Sequence, residues 1–212
     1  MLRALVAAIT ACLLVVSWGS YHHSSSDDSH ETPRREVSVT FDDLPVVGTR
    51  DIGAQQEITK KLLDSITSNK VPAIGFVNEN KLFDGGVENE RRVALLQQWL
   101  DAGLDLGNHS FSHPDLHSVP LETFQADVVR GEAVTRRLLT RRGKQLRYFR
   151  HPFLHAGRDL EIQKQLTEFL ASRGCRVAPV TIDNSDWIFA SAYMKAVDKA
   201  DKQMMVRIAS AY

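Results

Sequence analysis

Two histidines four residues apart, His109 and His113, are the side chains of this sequence best suited to chemistry. They follow residues 104–106, a Leu-Asp-Leu alternation that predicts a β-strand. Two imidazoles at this spacing can reach one divalent ion when a hard or borderline third ligand comes from elsewhere. Asp42 and Asp43, which follow another strand-like stretch at residues 37–41, offer that ligand. These four side chains predict a metal-dependent hydrolase.

The elements that must hold these side chains alternate regularly from residue 36 onward. Strands are predicted at residues 37–41, 73–77, 104–108, 146–149 and 177–182. Helices are predicted at residues 55–69, 88–102, 120–142, 159–172 and 193–212. This alternation indicates parallel strands with helices outside them.

The unusual polar residues come directly after the predicted strands. They are Asp42 with Asp43, Asn78 with Glu79, His109 with His113, Arg150, and Asp183 with Asp186. In a parallel barrel the carboxyl ends of all strands share one rim, which would gather these groups in one pocket. A doubly wound sheet would gather them only near its switch point, so the barrel accounts for more of the pattern. Five strands are too few to close a barrel, and the chain is expected to break off inside its fold.

The first 35 residues differ from the rest. Residues 1–20 have a weakly basic start, an apolar run and small residues at its end, which predict a secretory signal peptide; an uncleaved membrane anchor is the alternative. Residues 21–35 are rich in His, Ser and acidic residues and are expected to be a disordered linker. Residues 36–212 then form the catalytic domain, and the expected location is secreted or periplasmic.

Charge and cysteine content exclude some partners. The 212 residues contain 26 Lys plus Arg and 26 Asp plus Glu, a formal charge of zero that argues against a nucleic-acid partner. Cleavage of the leader would remove Cys12 and leave Cys175 alone, so no intramolecular disulfide is expected.

Four ordered motifs in residues 37–187 resemble the polysaccharide deacetylase family, the NodB homology domain of the family 4 carbohydrate esterases. They are TFDD at 40–43, HSFSH at 109–113, RHPF at 150–153 and DNSDW at 183–187. Each follows a predicted strand. The resemblance implies an α/β fold, a distorted and incomplete (β/α) barrel, and a hydrolase acting on carbon–nitrogen or ester bonds.

The resemblance also implies roles for individual residues. Asp43, His109 and His113 would bind a divalent metal, zinc first, with cobalt, nickel or iron as alternatives. Asp42 would be the general base for a metal-bound water that attacks an N- or O-linked acetyl group of a carbohydrate. The further implied site residues are Arg150, which pairs with the base; Phe153, whose backbone N–H holds the oxyanion; Phe153 and Trp187 as groove walls; and Asp186, which orients a histidine.

The sequence departs from the family in two places. Leu44 stands where many members have glycine before the proline, which suggests a different substrate rim. The family's C-terminal leucine-x-x-histidine, which supplies the general acid, has no counterpart here, because no histidine follows His155. Two other functions therefore stay open: a truncated fragment that only binds carbohydrate, and a non-haem iron enzyme, which also uses two histidines and one carboxylate.

Overall fold

A five-stranded parallel sheet forms the centre of the computed structural model, which describes residues 36–212. The strands are β1 (Val39–Leu44), β2 (Ala73–Val77), β3 (Phe83–Asp84), β4 (Val87–Glu88), β5 (Asp105–Asn108), β6 (Tyr148–Phe149) and β7 (Arg176–Val177). The large sheet has the order β1-β2-β5-β6-β7 with parallel neighbours, while β3 and β4 form a separate antiparallel hairpin. The predicted leader and linker lie outside the described residues.

The strand order distinguishes between the two predicted architectures. Each new strand of the large sheet is added on the same side as the one before, without the reversal that defines a doubly wound sheet. The predicted α/β class and barrel-type winding are therefore confirmed. Among residues 36–212, β1 and β7 remain the edges of the sheet, so the barrel is open.

Helices connect the strands and cover the sheet. They are α1 (Ile52–Ser68), α2 (Glu90–Asp101), α3 (Leu121–Arg130), α4 (Ala133–Thr140), α5 (Leu160–Ser172), α6 (Asp186–Asp198) and α7 (Lys202–Ala211). The side chains of Asp51, Asn89 and Asp159 cap α1, α2 and α5 by accepting first-turn N–H groups. Between sheet and helices, Trp99 and Phe76 are almost completely buried. No helix in residues 36–212 is both long and apolar enough to cross a bilayer.

The single helix predicted at residues 120–142 is wrong, because the structure has α3 and α4 there. Gly131 ends α3 where a Cβ would lie 2.3 Å from the carbonyl carbon of Ser110. The buried carboxylate of Glu79 accepts two N–H groups at the start of α4, at 3.0 and 2.7 Å. The break depends on a cap 55 residues away in sequence, which helical periodicity does not reveal. Glu79 therefore supports a helix and does not line the predicted pocket.

The C-terminal elements also differ from the prediction. The strand predicted at 177–182 is reduced to the two residues of β7, and the helix predicted at 193–212 is α6 and α7 in succession. Because α6 begins at Asp186, that residue lies in a first helical turn rather than in a strand-end loop. Ala196 is the buried residue of α6, and α7 has none.

Candidate active site

The acidic pair lies in a β-bulge at the end of β1. Phe41 pairs with Gly75 and Leu44 pairs with Val77, so β1 has one more residue than β2 between these pairs. Asp43 has a φ of 65°, a left-handed conformation that is uncommon outside glycine. A bulge interrupts the alternation of side chains between opposite faces and redirects them. Two consecutive carboxylates can therefore serve one site.

His109, at the end of β5, is held in a form suited to metal binding. Its Nδ1 lies 2.9 Å from the carbonyl oxygen of Arg150. Because a carbonyl oxygen can only accept, Nδ1 carries the proton and Nε2 keeps its lone pair. Burial lowers the pKa of His109 to about 4, so the ring is neutral near pH 7.

The three predicted ligands Asp43, His109 and His113 lie together. Their potential ligand atoms are all within 4.8 Å of one another. Nε2 of His113 is 4.0 Å from Oδ1 of Asp43, and the two imidazole centroids are 4.8 Å apart. Burial also lowers the pKa of His113, so both rings can act as neutral donors. One carboxylate and two neutral imidazoles fit zinc or a similar divalent ion and leave coordination positions open.

Two residues that the sequence analysis missed hold the histidine loop. Asp127, in α3, accepts the N–H groups of Phe111 and Ser112, both at 2.9 Å, and the hydroxyl of Ser112 at 2.7 Å. Asn108 accepts the N–H of Ser110 at 2.6 Å. Asp127 belongs to no motif and stands 14 residues after His113, so only the packing of α3 against the loop reveals its role.

Asp127→Ala is expected to lower both stability and metal affinity. The N–H groups of a tight loop would lose a charged acceptor, at a cost of about 2 kcal/mol. Loss of a group that orients a ligand typically weakens metal binding by about 10-fold. Thermal melting and zinc calorimetry measure the two effects. Glu122→Ala, an exposed change on the same helix, is the control and should leave both unchanged; equal effects in the two variants would contradict this role.

Asp42 faces Arg150. Nη1 of Arg150 is 3.4 Å from Oδ2 of Asp42, and its Nη2 donates to the Thr40 hydroxyl at 3.1 Å. Oδ1 of Asp42 is buried and has no hydrogen-bond partner among residues 36–212. Burial raises the pKa of Asp42 to about 6, although Arg150 acts to lower it. The Asp42 carboxylate thus adjoins Asp43 in the chain and has one oxygen shielded from solvent, and its raised pKa is in the range that suits a general base.

Lys81 is a second contact of the acidic pair that the sequence did not reveal. Its Nζ lies 2.8 Å from Oδ1 of Asp43 and 2.8 Å from the carbonyl oxygen of the same residue. Burial acts to raise the pKa of Asp43, but the charge and hydrogen bond of Lys81 produce a net lowering. Asp43 is therefore ionised near neutral pH, as a metal ligand must be.

The predicted rim residues differ in how they are placed relative to the predicted metal ligands and Asp42. The ring of Phe153, about half exposed, has its centroid 4.5 Å from that of His113. Asp183 and Asp186 are close enough to Asp42 for their charges to raise its pKa. Trp187 is exposed in the first turn of α6. The ring of Phe153 therefore lies beside the predicted metal ligands, the charge of Asp186 acts on Asp42, and Trp187 is an exposed side chain of α6.

A second group of potential ligands, Asp115, His117 and His155, also has its ligand atoms within 4.8 Å of one another. The two imidazoles are stacked 4.0 Å apart at 11°. Because imidazole lone pairs lie in the ring plane, nearly parallel planes cannot direct both onto one ion. Nδ1 of His155 already contacts Oδ1 of Asp115 at 2.7 Å. This cluster ties the histidine loop to the loop after β6.

Solved structures with the same fold place this chain in a structural class. A family 4 carbohydrate esterase from Streptomyces lividans has a TM-score of 0.52 at 20% identity, covering 72% of this chain and 66% of its own. A chitin deacetylase from the fungus Colletotrichum lindemuthianum has a TM-score of 0.51 at 25% identity, covering 71% of this chain and 57% of its own. The likeness to both structures supports the open α/β barrel described above.

The sequence comparison identifies the family. The polysaccharide deacetylase family matches residues 29–169, and this chain belongs to that family. A peptidoglycan-N-acetylglucosamine deacetylase from Bacillus cereus is 26% identical over 159 residues, which cover 75% of this chain and 49% of the relative. The chain thus spans about half the length of that relative. The first three motifs fall inside the matched residues, and the fourth, at 183–187, lies beyond them.

Proposed function

We propose that this chain is the catalytic domain of a metal-dependent hydrolase that removes acetyl groups from a carbohydrate. The observation that carries the proposal is the arrangement at the end of β1. Asp43 joins the two-histidine cluster, while the adjacent Asp42 keeps a buried oxygen without a protein partner. Membership of the polysaccharide deacetylase family supports the same reaction.

Different residues of the chain have different roles in this reaction. A divalent ion held by Asp43, His109 and His113 would supply Lewis acidity at the acetyl carbonyl. Asp42 takes the proton from the attacking water and returns it to the leaving nitrogen or oxygen as the bond from that atom to the acetyl carbon breaks, because no histidine follows His155 to act as the acid. Arg150 holds the Asp42 carboxylate in place and limits the rise in its pKa. Arg150 also fixes the proton of His109 through its carbonyl oxygen.

The rim would then hold the substrate over these groups. Phe153 contributes a half-exposed ring beside His113, and its backbone N–H is proposed to stabilise the oxyanion. Trp187 is proposed as the opposite wall of the groove. Because the Bacillus cereus relative is named for N-acetylglucosamine, we propose an N-linked acetyl group as the first candidate.

Acetate release from defined substrates tests this function. Purified protein loaded with zinc, cobalt, nickel or iron should release acetate from chitin oligomers or peptidoglycan fragments, and acetylated xylan tests the O-linked alternative. The rate should not depend on oxygen, whereas strict dependence on iron and oxygen would favour the non-haem iron enzyme. Binding of these substrates with no acetate from any of them would favour the carbohydrate-binding fragment.

Arg150→Gln is expected to move the acid limb of the pH profile to higher pH. Asp42 must be ionised to accept a proton, so activity is lost as the pH falls through its pKa. Burial raises that pKa to about 6 and Arg150 opposes the rise. Removing the guanidinium therefore raises the pKa, and each unit costs about tenfold in kcat/KM at pH values below it. The profile of kcat/KM against pH measures this effect; Arg147→Gln, an exposed change nearby, is the control. An unmoved limb in a folded Arg150→Gln protein would contradict the pairing.

We also propose that the enzyme works outside the cytoplasm. The proposal rests on the leader-like composition of residues 1–20. Expression in a bacterial host followed by N-terminal sequencing of the exported protein tests it. A start near residue 20 is expected, and an intact leader on membrane-bound protein would favour the anchor.

A further inference from the structure

Lys81 lies in a short 3₁₀ helix, Glu79–Leu82, next to the histidine loop. The N–H of its neighbour Asn80 donates to the carbonyl oxygen of Phe111 in that loop at 3.0 Å. Nη1 of the buried Arg92 donates to the carbonyl oxygen of Lys81 at 3.4 Å. The backbone of Lys81 is thus held in place by groups other than the acidic pair.

The ammonium group of Lys81 contacts one residue twice. Its Nζ lies 2.8 Å from the carbonyl oxygen of Asp43 and 2.8 Å from Oδ1 of the same residue. The side chains of Lys81 and Asp43 are 26% and 32% exposed. Partly buried charges such as these are screened much less by salt and water than exposed ones. The two contacts therefore hold an effective positive charge on a predicted metal ligand.

The oxygen that Lys81 binds also lies near the histidines. Oδ1 of Asp43 is 4.0 Å from Nε2 of His113. A group placed between these two atoms would have the ammonium of Lys81 as a close neighbour. Burial is the main reason that the pKa values of His109 and His113 are lowered, and the charge of Lys81 lowers both further. Its field thus reaches both imidazoles and acts against positive charge there.

A divalent ion in this cluster would compete with the ammonium of Lys81 for the Asp43 carboxylate and would be repelled by its like charge. We propose that Lys81 lowers the affinity of the cluster formed by Asp43, His109 and His113 for its ion. The ion is therefore exchangeable, and the activity follows the concentration of free metal. The inference rests on the proposed function and names a regulation of the same site.

A purely supporting role for Lys81 predicts the opposite change in metal affinity. If the ammonium only held Asp43 in its left-handed conformation, with a φ of 65°, its removal would weaken metal binding. Loss of a group that orients a ligand typically costs about 10- to 100-fold. If the charge opposes the ion, its removal tightens binding. The direction of the change therefore separates the two roles.

Lys81→Met removes the charge and keeps a side chain of similar length. Zinc calorimetry near neutral pH should show binding at least about tenfold tighter than in the wild type, because repulsion between a unit charge and a neighbouring divalent ion is worth at least that factor. The same zinc concentration should raise the melting temperature of the variant more than that of the wild type, since stabilisation by a ligand grows with its affinity. Acetate release should reach half its maximum at a lower concentration of free zinc.

Two further variants separate the charge of Lys81 from its hydrogen bonds. Lys81→Gln keeps a neutral donor and should also bind zinc more tightly, and it serves as the test if Lys81→Met does not fold. Lys81→Arg keeps the charge and should bind zinc about as the wild type does. The matched control is Lys61→Met, which removes an exposed lysine paired with Glu57 in α1 and should leave the affinity unchanged. Thermal melting without zinc shows which variants are folded.

Zinc binding that is unchanged or weaker in the folded uncharged variants would overturn this role for Lys81, as would binding in Lys81→Arg as tight as in Lys81→Met. Calorimetry needs no turnover, so its result is separate from the proposed reaction. Tighter zinc binding in the uncharged variants with no acetate released by any of the proteins would support the role of Lys81 and contradict the hydrolase. Acetate release with equal zinc affinity in the wild type and Lys81→Met would do the reverse.

Discussion

Asp42→Asn is expected to reduce acetate release by about 10³-fold while the protein keeps its metal, because general-base groups typically contribute 10²- to 10⁴-fold. The amide has nearly the shape of the carboxylate but cannot take a proton from water. Its neighbour Asp43, not Asp42, is the residue whose ligand atoms lie with the two imidazoles. Initial rates at saturating substrate and zinc calorimetry measure the two properties separately.

The control for this variant is Asp64→Asn, the same change at an exposed residue of α1 that pairs with Lys60. It should keep both activity and metal binding. If Asp42→Asn lost zinc together with activity, Asp42 would be a ligand and the assignment within the acidic pair would be reversed. If it kept activity within tenfold, another group would be the base.

His113→Ala is expected to lower zinc affinity by more than about 100-fold and to abolish acetate release, since a removed ligand costs more than the 10- to 100-fold typical of a group that only orients one. His113 supplies one of three donors, and its loop is too constrained for a neighbouring side chain to replace it. Zinc calorimetry at pH 7 measures the affinity, and released acetate measures the rate.

The matched control is His117→Ala, which removes an imidazole from the stacked pair with His155. It should keep zinc binding with one ion per chain. A loss of affinity in His117→Ala as large as that in His113→Ala would show that the second cluster is the principal metal site and would contradict the present assignment.

The proximity of Asp43, His109 and His113 could be predicted from the sequence because these residues stand at strand ends. Asp43, His109 and His113 come from β1 and the loop after β5, and parallel strands bring such ends to one edge whatever the sequence between them. The pairing of Arg150 with Asp42 followed from the family motif in the same way. The identity and order of the strands were therefore sufficient to predict which of these side chains lie close together, and exact strand boundaries were not needed.

Side chains that act across the fold could not be predicted in this way. Lys81 reaches Asp43 from 38 residues away, and Asp127 reaches Ser112 from 15 residues away. Glu79 caps α4 at a separation of 55 residues. Lys81 and Asp127 have local patterns that do not differ from those of ordinary surface residues, and the position of Glu79 after a strand predicted a pocket residue instead. The roles of all three therefore appear only when the chain is packed. The missed break between α3 and α4 has the same cause.

The most direct test of the metal site is anomalous diffraction from crystals of this protein grown with zinc. One peak is expected within about 2.0–2.2 Å of a carboxylate oxygen of Asp43 and of one nitrogen each from His109 and His113, the distances usual for zinc. The carboxylate of Asp42 should lie outside bonding distance and face the open side of the ion. A well-occupied peak elsewhere, or none at these three residues at saturating zinc, would contradict the account.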